Sequence, residues 1–241
     1  MRRMRLDKLL ADAGIGSRTE VKLLIRKGRI SVNGIVVNKS DHKVDFETDT
    51  ILFDQEQVSY HKNVYYMLNK PSGIVSATTD NHDTTVIDLF EKENRQGLFP
   101  VGRLDKDTTG LMVITDDGVF AHKVLSPRKH IPKTYVALLD EALPASSVDA
   151  LENGLDIGDT KLTLPAHVRI EESNKAIVHL TIMEGRFHQV KRMFQVVGRN
   201  VLSLKGIQIG NLLLDQNLSE GSYKVLTKEE AFQCLETSEM N

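Results

Sequence analysis

Apolar residues in the first sixty positions change period twice. Leu6, Leu9, Leu10 and Ala13 fall at helical spacing, and Gly14 and Gly16 close that run. Ser17-Arg-Thr-Glu20 then has the pattern of a capping box, which starts a second helix. In that helix Val21, Leu24 and Ile25 form the stripe to be buried, while Arg18, Lys22 and Arg26 recur every four residues on the other side. Residues 29–37 alternate around Asn33-Gly34, which predicts a tight hairpin, and 51–53 supply a further short strand. Periodicity lapses near 55–63. The pattern therefore predicts a small unit over 1–58, a linker over 59–63 and a larger unit over 64–241. In the larger unit, residues 64–68, 111–115, 134–139 and 177–183 read as strands. Residues 86–93 and 189–197 read as helices, the second closed by Gly198. Strands recur without regular strand–helix alternation. The fold class expected is α+β, with a mixed, largely antiparallel sheet and flanking helices.

Charge alters this picture more than composition does. The chain has 241 residues, 40% hydrophobic and 27% charged, and a net charge of -2, as in ordinary water-soluble domains. That balance conceals segregation. Residues 1–44 carry eleven Lys/Arg against four Asp/Glu, 45–58 carry five acids and no base, and 184–205 carry five bases and one acid. Separated basic islands fit an RNA contact surface, and equally a solvated face. No apolar run is long enough to span a bilayer, and Asp7 and Asp12 interrupt any leader-like start, so no membrane partner and a cytoplasmic location are expected. Cys234 is the single cysteine and the histidines lack ligand spacing, so neither disulfide nor metal is expected. No long coiled-coil pattern appears, and a monomer is expected.

The densest polar segment is Gly102-Arg103-Leu104-Asp105-Lys106-Asp107-Thr108-Thr109-Gly110. It joins an extended piece, Leu98-Phe-Pro-Val, to the apolar run 111–115. A polar loop between strands, with glycine at both ends, can expose side chains at a sheet edge. Arg103 and Lys106 flank Asp105 and favour its ionised form, as a nucleophile or base requires. The same residues also suit a turn-capping Asp105 with surface charges around it. Tyr135 by itself reads as readily as a strand core residue, and His188 as a hydrogen-bonded structural one.

Arg5-Leu-Asp-Lys-Leu-Leu, Ser17-Arg-Thr-Glu and Val32-Asn-Gly-Ile-Val-Val together resemble the S4 domain, a small RNA-binding fold. Four further segments, in order, resemble the pseudouridine synthases. They are Asn69-Lys70-Pro71-Ser-Gly73, the Arg103-Leu-Asp105 segment, Lys133-Thr-Tyr135, and Glu184-Gly-Arg186-Phe-His188-Gln-Val-Lys191-Arg192-Met193. The arrangement is similar to the RsuA-like branch, and His188-Gln-Val-Lys-Arg-Met-Phe194 to its small-subunit enzymes. Lys191 stands where the wider superfamily commonly has arginine, which alone offers a two-pronged contact to a carboxylate.

This resemblance implies isomerisation of a uridine in 16S ribosomal RNA, uridine 516, without a cofactor. It implies Asp105 as the essential carboxylate, Tyr135 as the residue stacking on the target base, and Lys191 as the cation paired with Asp105. RNA contacts are expected from Arg5, Lys8, Arg18, Lys22, Arg26, Lys27 and Arg29 in the small unit. In the large unit they are expected from Lys70, Arg103, Arg186, His188 and Arg192, and the helix starting at 189 is expected to offer open amides to phosphate. Asp107 is expected to be far less important than Asp105. The substrate could be bare RNA or an assembling subunit. The alternatives are a large-subunit synthase of the same branch and a non-catalytic S4 protein. An S4-bearing aminoacyl-tRNA synthetase is a poorer match, because the S4-like unit is at the wrong end and no nucleotide-binding signature is present.

Overall fold

A computed structural model describes residues 3–46, 48–58, 60 and 63–237. The chain divides into two compact units, 1–62 and 63–241. Of the expected linker 59–63, residues 59, 61 and 62 lie outside the described residues.

The first unit contains β1 (Arg3–Arg5), α1 (Leu6–Asp12), α2 (Arg18–Arg26), β2 (Ile30–Val32), β3 (Ile35–Val36), β4 (Lys43–Asp45), β5 (Ile51–Phe53) and β6 (Glu56–Gln57). Strands β1 and β4 pair with each other, and the other four form a sheet in the order β3-β2-β5-β6. Helix α1 has no side-chain cap. Its first amides donate instead to the carbonyls of His42 (2.8 Å) and Ser40 (3.1 Å), which ties the helix start to the β4 approach. The capping box at α2 forms as the sequence predicts: Glu20 N–H donates to Ser17 Oγ (3.3 Å), and Ser17 N–H to Glu20 Oε2 (2.8 Å). Asn33 (φ 51°) and Gly34 (φ 80°) both take positive φ, the geometry of the tight hairpin their pairing implies. Leu6, Leu9, Leu10, Val21, Ile25 and Ile30 close the core between helices and sheet.

The second unit contains β7 (Tyr65–Lys70), β8 (Phe99–Pro100), β9 (Thr109–Thr115), α3 (Gly118–Leu125), β10 (Lys133–Leu139), α4 (Ala145–Asn153), β11 (His167–Ile170), β12 (Ile177–Ile182), α5 (Gln189–Val196), β13 (Val201–Ile209), β14 (Leu212–Leu213), β15 (Tyr223–Leu226) and α6 (Lys228–Phe232). Nine strands make one sheet with the path β11-β12-β10-β13-β9-β7-β15, with β14 on β13 and β8 on β9. Only the β13–β9 pairing in this sheet is parallel. Alternation along β9 sends Leu111 and Val113 into a core with Phe120, Val124 and Ala231. Its Met112 and Ile114 pack on the opposite face against Val86, Ile87 and Phe90. The β10–β12 half buries Ala137, Leu139, Val178 and Leu180 against Leu151 of α4 and Val190, Met193 and Phe194 of α5.

The expected strands and the late helix form within one or two residues of their forecast ends. The helix expected over 86–93 does not. That segment is two short 3-10 turns, Val86–Leu89 and Lys92–Asn94. Thr85 and Asp88 cap the first turn, and Phe90 then becomes extended (φ -88°, ψ 152°), which drives its ring into the core. Arg95 locks the break by donating to the carbonyls of Phe90 and Asp88, both at 2.7 Å. No described helix is long and apolar enough to cross a membrane.

Asp7, 1% exposed, is the one buried carboxylate of the small unit's core among the described residues. The Arg5 guanidinium grips it at 3.0 and 2.9 Å, and that hydrogen bonding, with burial opposing it, holds its carboxyl below the ordinary range. A depressed carboxyl contributes stability above its unfolded-state pKa and loses it as pH falls toward the folded one. Asp7→Asn should therefore cost about 1–3 kcal/mol at pH 7. In urea melts of the full chain, that deficit should shrink as pH drops through the ordinary carboxylate range. A deficit that stays constant with pH would show that Asp7 contributes by shape alone.

Candidate active site

The site lies at the seam where the two halves of the large sheet meet in parallel. Gly110 of β9 sits opposite Gly206 of β13. Gly110 has φ +108°, and a Cβ there would lie 2.1 Å from the Gly206 carbonyl oxygen, so no side chain fits. On the other side of β13, Gly206 pairs with Tyr135 of β10, where the register shifts between Thr134 and Tyr135. A Cβ at Gly206 would touch both Leu104 Cδ2 and Tyr135 Cε1 at 3.7 Å. Two glycines thus bring the loop carrying Asp105 alongside the Tyr135 ring.

That loop is held from beneath by the turn that follows β7. Lys70 is fully buried, and its ammonium donates to the carbonyls of Pro71 (3.1 Å), Asp105 (3.1 Å), Lys106 (3.2 Å) and Thr108 (2.8 Å). Ser76 Oγ donates to the Leu104 carbonyl (2.7 Å) and accepts from its amide (3.0 Å), while Gly73 N–H donates to the Lys106 carbonyl (2.8 Å). Burial lowers the Lys70 pKa to about 8, with Asp107 and Asp105 opposing. Lys70 is therefore not an RNA contact, contrary to the expectation from sequence. Its position at the end of the buried run Tyr65-Tyr-Met-Leu, just before a proline turn, was the available sign.

Asp105 is 26% exposed. Lys191 Nζ is 3.5 Å from its Oδ2, and His188 Nε2 is 3.5 Å from its Oδ1. Lys191 is closer still to Asp107, at 2.6 Å, and that hydrogen bond holds the Asp107 carboxyl below its ordinary range against burial. Lys191 is thus shared between two carboxylates. Asp107, expected from sequence to matter far less than Asp105, shares the same cation. Lys106 turns away to Asp83 at 2.6 Å. Burial, with the Asp105 charge adding to it, pushes the Tyr135 hydroxyl up to about 12, so the ring stays neutral at physiological pH. Tyr135, Leu104, Arg103, Lys133 and Gln208 line a small cavity at the seam. Burial lowers the Lys133 pKa, and its ammonium donates to the Ile131 carbonyl at 3.2 Å.

The segment before α5 divides the expected contacts further. Arg186 donates to Glu184, Asp159 and the carbonyls of Lys161 and Leu162. Arg192 donates to Asp159 and to the carbonyls of Phe187 and Ile157. Both guanidiniums hold residues 157–162 to the start of α5, and both stay partly exposed. The first amide of α5, that of Gln189, donates to the Arg186 carbonyl (3.2 Å), so it is not open to phosphate as expected. His188 is exposed and takes a left-handed conformation (φ 49°) at the helix start. Asp159 and Gln189 escape a reading of the sequence: Asp159 meets its arginines across 27 and 33 residues, and Gln189 serves the Arg186 amide and the Glu184 carboxylate.

In the small unit, Arg5 is engaged with Asp7, Arg18 reaches Asp7 at 3.9 Å, and Arg29 pairs with Asp54 while lying over the Phe53 ring at 4.7 Å. Lys8, Arg26 and Lys27 are exposed and Lys22 is partly so; in the large unit Arg103 is exposed.

Comparison with known proteins agrees along the whole chain. The family model described as RNA pseudouridylate synthase matches residues 64–196, and the S4 domain model matches 4–51. An uncharacterised RNA pseudouridine synthase of Bacillus subtilis (strain 168), YtzG, is 43% identical over 94% of this chain and 96% of its own length. The ribosomal small subunit pseudouridine synthase A of Escherichia coli (strain K12) is 39% identical over 94% and 98%. That of Vibrio cholerae is 38% identical over 94% and 97%. A crystal structure of a pseudouridylate synthase aligns with a TM-score of 0.69 at 36% identity, covering 96% of this chain and 99% of that one.

Lys70→Met removes a donor that serves four carbonyls. It should lower stability by about 2–4 kcal/mol, as for other buried networks left half-satisfied. Urea unfolding measures this directly. A loss under about 0.5 kcal/mol, the range of ordinary surface changes, would show that the loop does not depend on the ammonium.

Proposed function

The chain belongs to the RNA pseudouridylate synthase family, and from that premise we propose that it converts a uridine of small-subunit ribosomal RNA, uridine 516 of the 16S molecule, to pseudouridine. Its small-subunit relatives and the run His188-Gln-Val-Lys-Arg-Met-Phe194 support that choice of substrate. The observation that carries the catalytic reading is the Asp105 carboxylate, partly exposed at the seam, with Lys191 and His188 each at 3.5 Å.

The reaction breaks the N1–C1′ glycosidic bond, turns the uracil and joins C5 to C1′. The C5 proton is then lost and the freed N1 takes one up, so the isomerisation balances without a co-reactant. Asp105 acts at the sugar, either adding to C1′ or taking the 2′ proton, and both routes need an ionised carboxylate. Lys191 supplies the compensating charge as a point cation rather than a fork. Its hydrogen bond to Asp107 aims it from one side, so the two carboxylates and one ammonium act as a unit. Tyr135, neutral at physiological pH, holds the freed uracil by its ring and keeps water away from C1′. A neutral phenol is a poor match for removing the C5 proton, which favours stacking as its main role. A uridine within folded RNA must leave its stack to reach this seam, and the exposed cations supply backbone binding.

Tritium release from 5-tritiated uridine in small-subunit RNA tests the chemistry. Wild-type protein should release it without any cofactor. Asp105→Asn should abolish release while RNA affinity stays within a few-fold, and substantial release by a clean Asp105→Asn preparation would overturn the assignment. The S4 unit has its own test. Reversing the charges of Arg18, Lys22 and Arg26 should weaken binding and reduce the log–log salt slope by about 0.7–0.9 per lost phosphate contact. An unchanged affinity and slope would reduce that stripe to a solvated face.

A further inference from the structure

Phe187 is 72% exposed. Its ring stacks on that of His188 with centroids 3.8 Å apart and an interplanar angle of 19°. His188 Nε2 is in turn 3.5 Å from Asp105 Oδ1. The two rings therefore extend outward from the reacting group.

This aromatic is exposed without being loose. Arg192 donates to the Phe187 carbonyl (3.1 Å), Arg186 N–H donates to the side chain of buried Gln189 (2.9 Å), and Gln189 N–H returns to the Arg186 carbonyl (3.2 Å). A left-handed backbone at a non-glycine residue is uncommon and costs energy. Here it occurs at His188 (φ 49°), the residue whose ring meets that of Phe187. A rigid ring loses little freedom on binding, so what it contacts gains most of the stacking energy.

We propose that Phe187 is a stacking platform for the nucleobase next to the target uridine, and that it sets which RNA context the enzyme accepts. This rests on the synthase reading above. Turning a uridine out of its stack exposes the faces of its neighbours, and an aromatic ring can cover one of them. The position fits a neighbour rather than the target. Asp105 must meet the target sugar and Tyr135 its uracil, whereas Phe187 stands beyond His188 on the outer side. An exposed planar ring suits a base carried on a phosphate backbone.

The test uses the full-length protein and a small-subunit RNA fragment that supports tritium release. 2-Aminopurine is placed on either side of the target uridine. Wild-type protein should quench the probe at one of the two positions. Phe187→Leu should lose that quenching and raise KM about 5- to 150-fold, the equivalent of about 1–3 kcal/mol of stacking, with kcat little changed. Phe187→Trp should restore both. An abasic site at the quenched position should raise KM for the wild type and add nothing to Phe187→Leu. Because the ring is exposed, the urea midpoint of Phe187→Leu should match the wild type. Unchanged quenching and KM in Phe187→Leu would overturn the platform and leave the synthase reading intact. So would a defect confined to assembling subunits and absent on bare RNA, which would assign Phe187 to a protein contact. A wild-type protein that releases no tritium from any ribosomal RNA would overturn both.

Discussion

The buried ammonium of Lys70 is the interaction on which the site depends. A loop of alternating charges, Arg103-Leu-Asp-Lys-Asp107, would repel or rearrange if its backbone were free. Lys70 gathers the carbonyls of Asp105, Lys106 and Thr108 onto one cation, and the turn that follows adds Ser76 and Gly73. The backbone oxygens face inward, so the Asp105 side chain is left facing outward. A cation in a dry interior is costly unless its hydrogen-bonding capacity is filled, and here four carbonyl oxygens fill it. Lys70 thus meets the loop through its backbone, while Lys191 meets the Asp105 and Asp107 carboxylates directly.

The second constraint is the parallel seam. Antiparallel strands would bring Gly110 and Gly206 together through a hairpin. A parallel pair has no such link and must be reached by a long crossover. Here the crossover runs from β9 through α3, β10, α4, β11, β12 and α5 before β13 returns. That route is why the late segment, with His188 and Lys191, arrives beside a loop more than eighty residues earlier. The glycines then set how close the strands come, and so how near Tyr135 stands to Asp105. Fold and site share a cause: the glycine seam of the sheet lies beside the loop that carries Asp105.

Much of this was legible in the sequence, and unevenly. Strand and helix positions followed from periodicity, and the Ser17–Glu20 box and the Asn33-Gly34 turn from local chemistry. Asp105, Tyr135 and Lys191 were found through their motifs, and the structure brings all three to the seam. Less legible were the structural partners of individual cations. Lys70, Arg186 and Arg192 sit in the same motifs as open residues, and nothing local separates an arginine that meets RNA from one that meets a carbonyl. The partners that decide it, Asp159 and the carbonyls of 157–162, lie some thirty residues away in a stretch with no regular element. The 86–93 segment failed for a related reason. Its apolar residues suit a helix, but the pocket that takes Phe90 forms only when β7 and β9 have paired.

The same division explains how a chain with net charge -2 keeps exposed cations in both units. Several acids are consumed in holding structural cations: Asp7 for Arg5, Asp54 for Arg29, Asp159 and Glu184 for Arg186 and Arg192. Each such group is neutral as a unit and contributes little field beyond a Debye length. The charge an RNA backbone would feel is set by cations not so engaged, and the exposed Arg26 and Lys27 in the small unit and Arg103 in the large one are of that kind. Counting all lysines and arginines overstates the binding surface, and net charge understates it. An aromatic platform matters more under these conditions. With few open cations near the seam, stacking can discriminate one sequence context from another, which phosphate contacts alone cannot do.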